Sequence, residues 1–160
     1  MAKVLFVNPE KCVGCMACLM ACSMQQGETV SPVRSMILPL ALKKQVINIP
    51  VVCRQCAKPL CADVCPMGAI SRDQKTAAMM VDYDLCIGCR MCMIACPLGG
   101  ISVDTDIAHA MKCNLCEGDP LCARVCAYGA IEYITEEEVF LERRKEAIGK
   151  LATMLEKIVF

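Results

Sequence analysis

The chain has 160 residues, 17 acidic against 17 basic side chains, no Trp, three Tyr, three Phe and 16 Cys. Balanced charge and few aromatics exclude the basic, base-stacking surface that binds nucleic acid. Although 56% of the residues are apolar, no apolar run approaches the roughly 20 residues of a membrane helix, so no membrane span is expected. Residues Met1 to Pro9 lack the apolar stretch, cleavage site or twin arginine of an export signal, so the thiols are expected in a reducing cytoplasm.

Along the chain, Val4–Val7 reads as a short strand before a first cysteine group, Cys12, Cys15, Cys18 and Cys22. Residues 23–52 carry Gly27, Pro32, Pro39 and Pro50 around the apolar Met36–Leu42. Prolines at such intervals exclude a long helix. The segment reads either as a strand or hairpin packed over the clusters or as a docking surface. A second group, Cys53, Cys56, Cys61 and Cys65, follows, then a strand at Met79–Val81 and a third group, Cys86, Cys89, Cys92 and Cys96. After a strand at Ile101–Val103 comes the fourth, Cys113, Cys116, Cys122 and Cys126, and a strand at Ile131–Ile134. Groups two to four end alike, in Cys65-Pro66-Met67-Gly68, Cys96-Pro97-Leu98-Gly99 and Cys126-Ala127-Tyr128-Gly129. Proline is expected to stop each cysteine helix and glycine to permit the turn, so that the repeat is a unit of loop, helix and strand. Such a unit is too small to bury its own core, and most of its folding free energy must come from metal and from stacking on a neighbour. From Thr135, with Glu138 at the capping-box position, the segment to Lys157 reads as a helix. Phe140, Ala147, Ile148, Leu151, Met154, Leu155 and Ile158 form its apolar stripe. The stripe either folds back on the body or serves a partner.

Sixteen cysteines admit disulfides, zinc or iron-sulfur clusters. The first and third groups read C-x2-C-x2-C-x3-C, which crowds three sulfurs onto one loop. That convergence suits a cluster, whereas a disulfide needs opposed partners and zinc prefers two separate knuckles. The third group, continuing into Pro97, is the bacterial ferredoxin run, in which the fourth cysteine serves the other cluster of a pair. Cys18 and Cys22, Cys61 and Cys65, Cys92 and Cys96, and Cys122 and Cys126 are each i and i+4, so each pair is expected one helical turn apart. Val13, Met16, Leu19, Ile87, Met91 and Ile94 are expected to wrap the clusters against water. His109 is given no role, since the cysteine set is complete without it.

With the second group spaced x2, x4 and x3 and the fourth x2, x5 and x3, residues 3 to 134 resemble the four-cluster ferredoxin subunits of the dimethyl sulfoxide reductase electron-transfer type. The resemblance implies an α+β fold of tandem ferredoxin-like modules, one inserted in the other. A polyferredoxin domain would span 1–134, with an outer module of 1–30 and 104–134 and an inner module of 50–103, leaving 135–160 as a C-terminal amphipathic helix for docking. It further implies four 4Fe-4S clusters. One set would be Cys12, Cys15, Cys18 and Cys126; a second Cys22, Cys113, Cys116 and Cys122; a third Cys53, Cys56, Cys61 and Cys96; a fourth Cys65, Cys86, Cys89 and Cys92. Ser23 and Ala127 depart from the pattern by standing where Pro66 and Pro97 follow the other groups. The compact stretch Lys112–Cys122 is also similar to the small iron-sulfur subunits accompanying tungsten aldehyde oxidoreductases and benzoyl-CoA reductase catalytic subunits.

No acid-base pair, nucleophile constellation or dinucleotide loop is present, so the chain is expected to be no catalyst by itself. The expected role is an electron-transfer subunit between a tungsten- or molybdenum-type catalytic subunit and a ferredoxin or flavin partner. Alternatives are a freely diffusing polyferredoxin and a zinc-stabilised interaction module. Self-association through the stripe stays open.

Overall fold

Every cysteine loop consumes its side chains on thiols, so regular structure is confined to the short runs between loops. The computed structural model describes residues 3–27, 30–42, 47–104 and 108–158. Strand β1 (Lys3–Val7) leads to helix α1 (Ala17–Gln26), then to strands β2 (Leu38–Leu42) and β3 (Ile47–Val51). Helix α2 (Leu60–Asp63), strands β4 (Ile70–Arg72) and β5 (Met79–Val81), and helix α3 (Met91–Ala95) follow. The chain continues through β6 (Ile101–Val103), β7 (Ala110–Lys112), α4 (Leu121–Arg124), β8 (Ile131–Thr135) and α5 (Glu136–Ile158). The fold is α+β. No helix among the described residues is long and apolar enough to cross a membrane.

The strands form two-stranded antiparallel pairs, β1 with β8, β2 with β3, β4 with β5 and β6 with β7. Pairing Lys3 with Thr135 brings the two ends of the cysteine region together. Helix α1 packs on α4 and α2 on α3. Strand β7 was not foreseen, and its register against β6, Ile101 opposite Lys112, places residues 110–112 on the unit formed by groups two and three.

The 23–52 segment contains a hairpin. Pro39 faces Pro50 across it, which fits a position where the opposed residues exchange no N–H bonds, so neither missing donor costs a ladder bond. The hairpin lies over the first cysteine loop, where Pro39, Leu40, Asn48 and Pro50 share a cavity wall with Cys12 and Cys18.

Helix lengths depart from expectation. Only Cys18 and Cys22 lie within one helix; Cys65, Cys96 and Cys126 follow helices of four or five residues. With Ser23 in place of proline, α1 runs on to Gln26, and the fully buried Ser23 hydroxyl donates to the Ser31 carbonyl and accepts from the Ser31 N–H, each at 2.6 Å. Yet α4 stops at Arg124 without a proline, as α2 stops at Asp63 with one. Hydrogen bonding supplies the stop: the N–H groups of Cys65, Cys96 and Cys126 donate to carbonyls three residues back at 3.1, 3.4 and 3.3 Å, and Gly68, Gly99 and Gly129 donate to those cysteines' own carbonyls.

At the start of α5 the expected capping box is formed, with Thr135 N donating to Glu138 Oε2 at 2.7 Å and Glu138 N to Thr135 Oγ1 at 3.3 Å. The face turned to the body is polar. Asn8 Nδ2 donates to Glu146 Oε1 at 2.9 Å, Lys150 pairs with Glu10 at 3.2 Å, and the Arg143 guanidinium lies 5.2 Å from the centre of the Phe6 ring. Ile148 and Leu155 stand on the far side of the helix from Glu146, and the stripe residues Phe140, Ile148, Leu151, Met154 and Leu155 are all exposed. The alternative in which the stripe covers the body is thus not what the chain adopts. The Ile158 side chain lies outside the described residues.

Candidate metal centres

A C-x2-C loop must turn sharply enough to aim two thiols at one point. In all four loops the residue before the second cysteine is left-handed: Gly14 (φ 73°), Gln55 (48°), Gly88 (66°) and Leu115 (56°). Space decides which are glycine. A Cβ at Gly14 would meet the Asn48 side chain of the hairpin at 2.7 Å, and one at Gly88 would collide with the Ala108 carbonyl oxygen. At the other two positions a side chain is put to use. Leu115 is fully buried in the core. Gln55 donates from Nε2 to the Cys113 carbonyl at 2.8 Å, while its Oε1 accepts from Met79 N at 2.8 Å and Lys112 Nζ at 3.1 Å.

The thiols fall into sets. Cys53, Cys56, Cys61 and Cys96 line one cavity; Cys65, Cys86, Cys89 and Cys92 another; Cys22, Cys113, Cys116 and Cys122 a third. Cys12 and Cys18 line a fourth beneath the hairpin, and Cys126, Cys12 and Cys15 all lie close enough to Cys18 to act on its ionisation. Among the described residues, no three His, Cys, Asp or Glu side chains close on a single-ion point. Thiols ringed around a cavity fit a multi-atom cluster better than one tetrahedral ion. The donor set suits iron-sulfur chemistry, because it is all thiol and each set receives N–H bonds at sulfur. Met36 N donates to Cys22 Sγ at 3.3 Å, Ala69 N to Cys65 at 3.3 Å, Gly100 N to Cys96 at 3.3 Å and Ala130 N to Cys126 at 3.2 Å. In three of these the donor is four residues beyond the cysteine; α1, running on past Cys22, replaces it with Met36.

Burial dominates the thiol electrostatics. It pushes Cys113 up to about 12, with Cys53 and Cys22 adding repulsion and the Leu115 N–H opposing. Burial likewise raises Cys122, reinforced by Cys113, Cys22, Cys116 and Cys18, and raises Cys61, where the Lys112 charge works against it. Thiols held neutral in this way release protons when they bind metal.

The interleaved apolar residues do not wrap the sites as expected. Leu19 is buried, but Val13, Met16, Ile87, Met91 and Ile94 are exposed, Ile94 by 81%. Turning successive thiols inward turns the intervening side chains outward. His109 is structural: its Nδ1 lies 3.0 Å from the Cys86 carbonyl and its ring packs 5.7 Å from that of Tyr83. Sequence reasoning missed Gln55 and Lys112. Their one signal was a non-glycine residue at the tight loop position of group two.

Residues 44–136 match the 4Fe-4S dicluster domain, and residues 3–24 match a 4Fe-4S binding domain. The chain belongs to the 4Fe-4S dicluster family, as an electron-transport protein of the ferredoxin type. It is 34% identical to the NADH-dependent phenylglyoxylate dehydrogenase subunit beta of Aromatoleum evansii over 84% of this chain and 31% of that one, so it spans about a third of that relative's length. It is 33% identical to the polyferredoxin-like subunit of the aliphatic sulfonate oxidoreductase of Pyrococcus furiosus, over 82% of this chain and 77% of that one. Its fold is shared by a chain of the active site complex BamBC of benzoyl coenzyme A reductase with benzoyl-CoA, with a TM-score of 0.50, 21% identity and 97% coverage of both chains.

Proposed function

We propose that the chain is the electron-transfer subunit of an oxidoreductase complex, holding four 4Fe-4S clusters in a row, with no catalytic site of its own. The observation that carries this reading is the continuity of the thiol sets. The set of Cys12, Cys15, Cys18 and Cys126 shares α1 and the α4 turn with the set of Cys22, Cys113, Cys116 and Cys122. Gln55 and the nearness of Cys53 to Cys113 join the latter to the set of Cys53, Cys56, Cys61 and Cys96. Packing of α2 on α3 joins that set to Cys65, Cys86, Cys89 and Cys92. The pairings β1 with β8 and α1 with α4 support an outer module enclosing an inner one.

Each bound cluster supplies the uptake and release of one electron. The chain's part is to space the sites, about 6 Å along the helix axis for Cys18 and Cys22, and to set their potentials by burial and hydrogen bonds to sulfur. Exposed Val13 and Met16 mark one end of the row and exposed Ile87 the other, which gives each end an apolar face for a redox partner.

One partner is a catalytic subunit of tungsten or molybdenum type, the other a ferredoxin or flavin subunit, and the protein works in the cytoplasm. The kinship of the Lys112–Cys122 loop with small subunits of such complexes supports the first, and the exposed stripe of α5 supports docking of the C-terminal segment. Anaerobic native purification with subunit identification and elemental analysis tests this. Tungsten or molybdenum in stoichiometric company with a large subunit is the expected result. An isolated brown protein holding iron alone would instead assign a freely diffusing polyferredoxin.

A further inference from the structure

Lys112 is the one lysine buried among the described residues, 6% exposed, and its ammonium enters the cavity lined by Cys53, Cys56, Cys61 and Cys96. Its Nζ donates to Cys53 Sγ at 2.9 Å and to Gln55 Oε1 at 3.1 Å. None of the ion pairs among the described residues includes it. A cation taken out of water needs negative charge close by, and here the candidates are sulfurs. The sulfurs of Cys22, Cys65, Cys86 and Cys126, which represent the other three sets, receive backbone N–H groups. Among the described residues, the Cys53 set alone has both a backbone donor, Gly100 N on Cys96, and a charged one.

We propose that Lys112 makes the site of Cys53, Cys56, Cys61 and Cys96 the easiest of the four to reduce. The inference rests on the four-cluster reading above. An electron delivered there, from dithionite in a titration, adds one negative charge beside the ammonium; no bond to the chain forms or breaks, and the ammonium keeps its protons. A charge-assisted bond favours the more negative state more than a neutral N–H does. Placement gives the effect a purpose. Lys112 immediately precedes Cys113 of the neighbouring set, and Gln55 bonds both Lys112 and the Cys113 carbonyl. The charge therefore sits at the junction of the two cluster pairs, and an electron entering from either end settles at the middle of the row.

The test is anaerobic dithionite titration of the wild-type, Lys112→Met, Lys112→Gln and Lys112→Arg holoproteins, followed by electron paramagnetic resonance with iron counted in each. In the Met and Gln variants the first reduction step is expected to weaken about tenfold in equilibrium constant, 59 mV for one electron. The other three steps stay in place, iron is unchanged, and the Arg variant stays close to wild type. Full iron with no step moved, or with a later step moved, overturns the proposal and leaves the four-cluster reading standing. Wild-type iron short of four clusters overturns that reading itself. Loss of iron in both uncharged variants assigns Lys112 to assembly instead of potential and also overturns the proposal.

Discussion

Gln55 and Leu115 occupy the same left-handed backbone position in their loops, one residue before the second cysteine, where the other two loops have glycine. Each accepts the unfavourable backbone because its side chain fills the space between the two halves of the molecule. Leu115 does so as core and Gln55 as a three-way hydrogen-bond hub.

Gln55→Leu should expose that hub's value. It leaves the Met79 N–H and the Cys113 carbonyl without their partner, at a cost of about 1–3 kcal/mol for each group left buried and unsatisfied. The expected outcome is bleaching of the visible absorption at lower guanidinium concentration than wild type, with starting iron content unchanged. A transition superimposable on wild type would show that water replaces the side chain.

Gly88→Ala and Gly99→Ala separate space from backbone conformation. Both glycines have φ near +65°, 66° and 64°, so both substitutions carry left-handed strain of about 1–2 kcal/mol. Only Gly88 also faces a backbone oxygen, that of Ala108, whereas a Cβ at Gly99 meets nothing within 4 Å. Gly88→Ala should therefore lose about one cluster's iron, and Gly99→Ala should keep it all. Equal iron in both would mean the Ala108 segment shifts freely.

Placing Glu at Ile148 and Leu151 together should leave iron content and absorption as they are, because both side chains are exposed and the helix faces the body through Glu146 and Lys150. If α5 docks the catalytic subunit as proposed, co-purification with that subunit should fall about tenfold or more. Loss of iron in this variant, or in a chain ending at residue 135, would return the helix to a structural role.

The α5 cap should titrate. The Thr135 N–H and hydroxyl hold the Glu138 carboxyl below the usual carboxylate range. A depressed carboxyl contributes stability above its ordinary pKa and loses it as pH falls through its lowered folded value. Amide exchange in the first turn of α5 should accordingly be faster in Glu138→Gln than in wild type at neutral pH, and the difference should shrink as pH falls below the ordinary value of 4.5 and vanish only below the carboxyl's lowered folded value. A difference that persists in acid would assign the protection to something other than the charge.

The thiol groups, four of the strands and the capping box were legible because each rests on chemistry local to a few residues. Met79–Val81 and Ile101–Val103 have the bounds that their apolar runs suggest. Strand β7 was not legible. Ala110, Met111 and Lys112 form no apolar alternation, and the lysine is drawn inside by sulfur and an amide rather than by hydrophobicity. The proline stop was misjudged for a related reason. The hydrogen bonds that end α2 and α4 are made by the backbone of the cysteine and of the glycine three residues on, which composition does not reveal. Outward-facing Val13 and Ile87 were hidden as well, since hydropathy cannot tell which way a side chain points in a loop governed by its thiols.

The pairing of β1 with β8 sets an order for biosynthesis. Lys3 leaves the ribosome well before its partner Thr135, more than 130 residues further on, and such a long-range closure is slow and exposed to side reactions until it completes. Groups two and three, with β4 and β5 between them and β6 and β7 after them, close their own strand pairs by residue 112. On the proposed assignment of clusters, the middle of the chain can thus take up metal while the residues after 112 are still being made. The thiols of Cys12 to Cys22 must be kept from oxidation or premature iron until the last loop arrives.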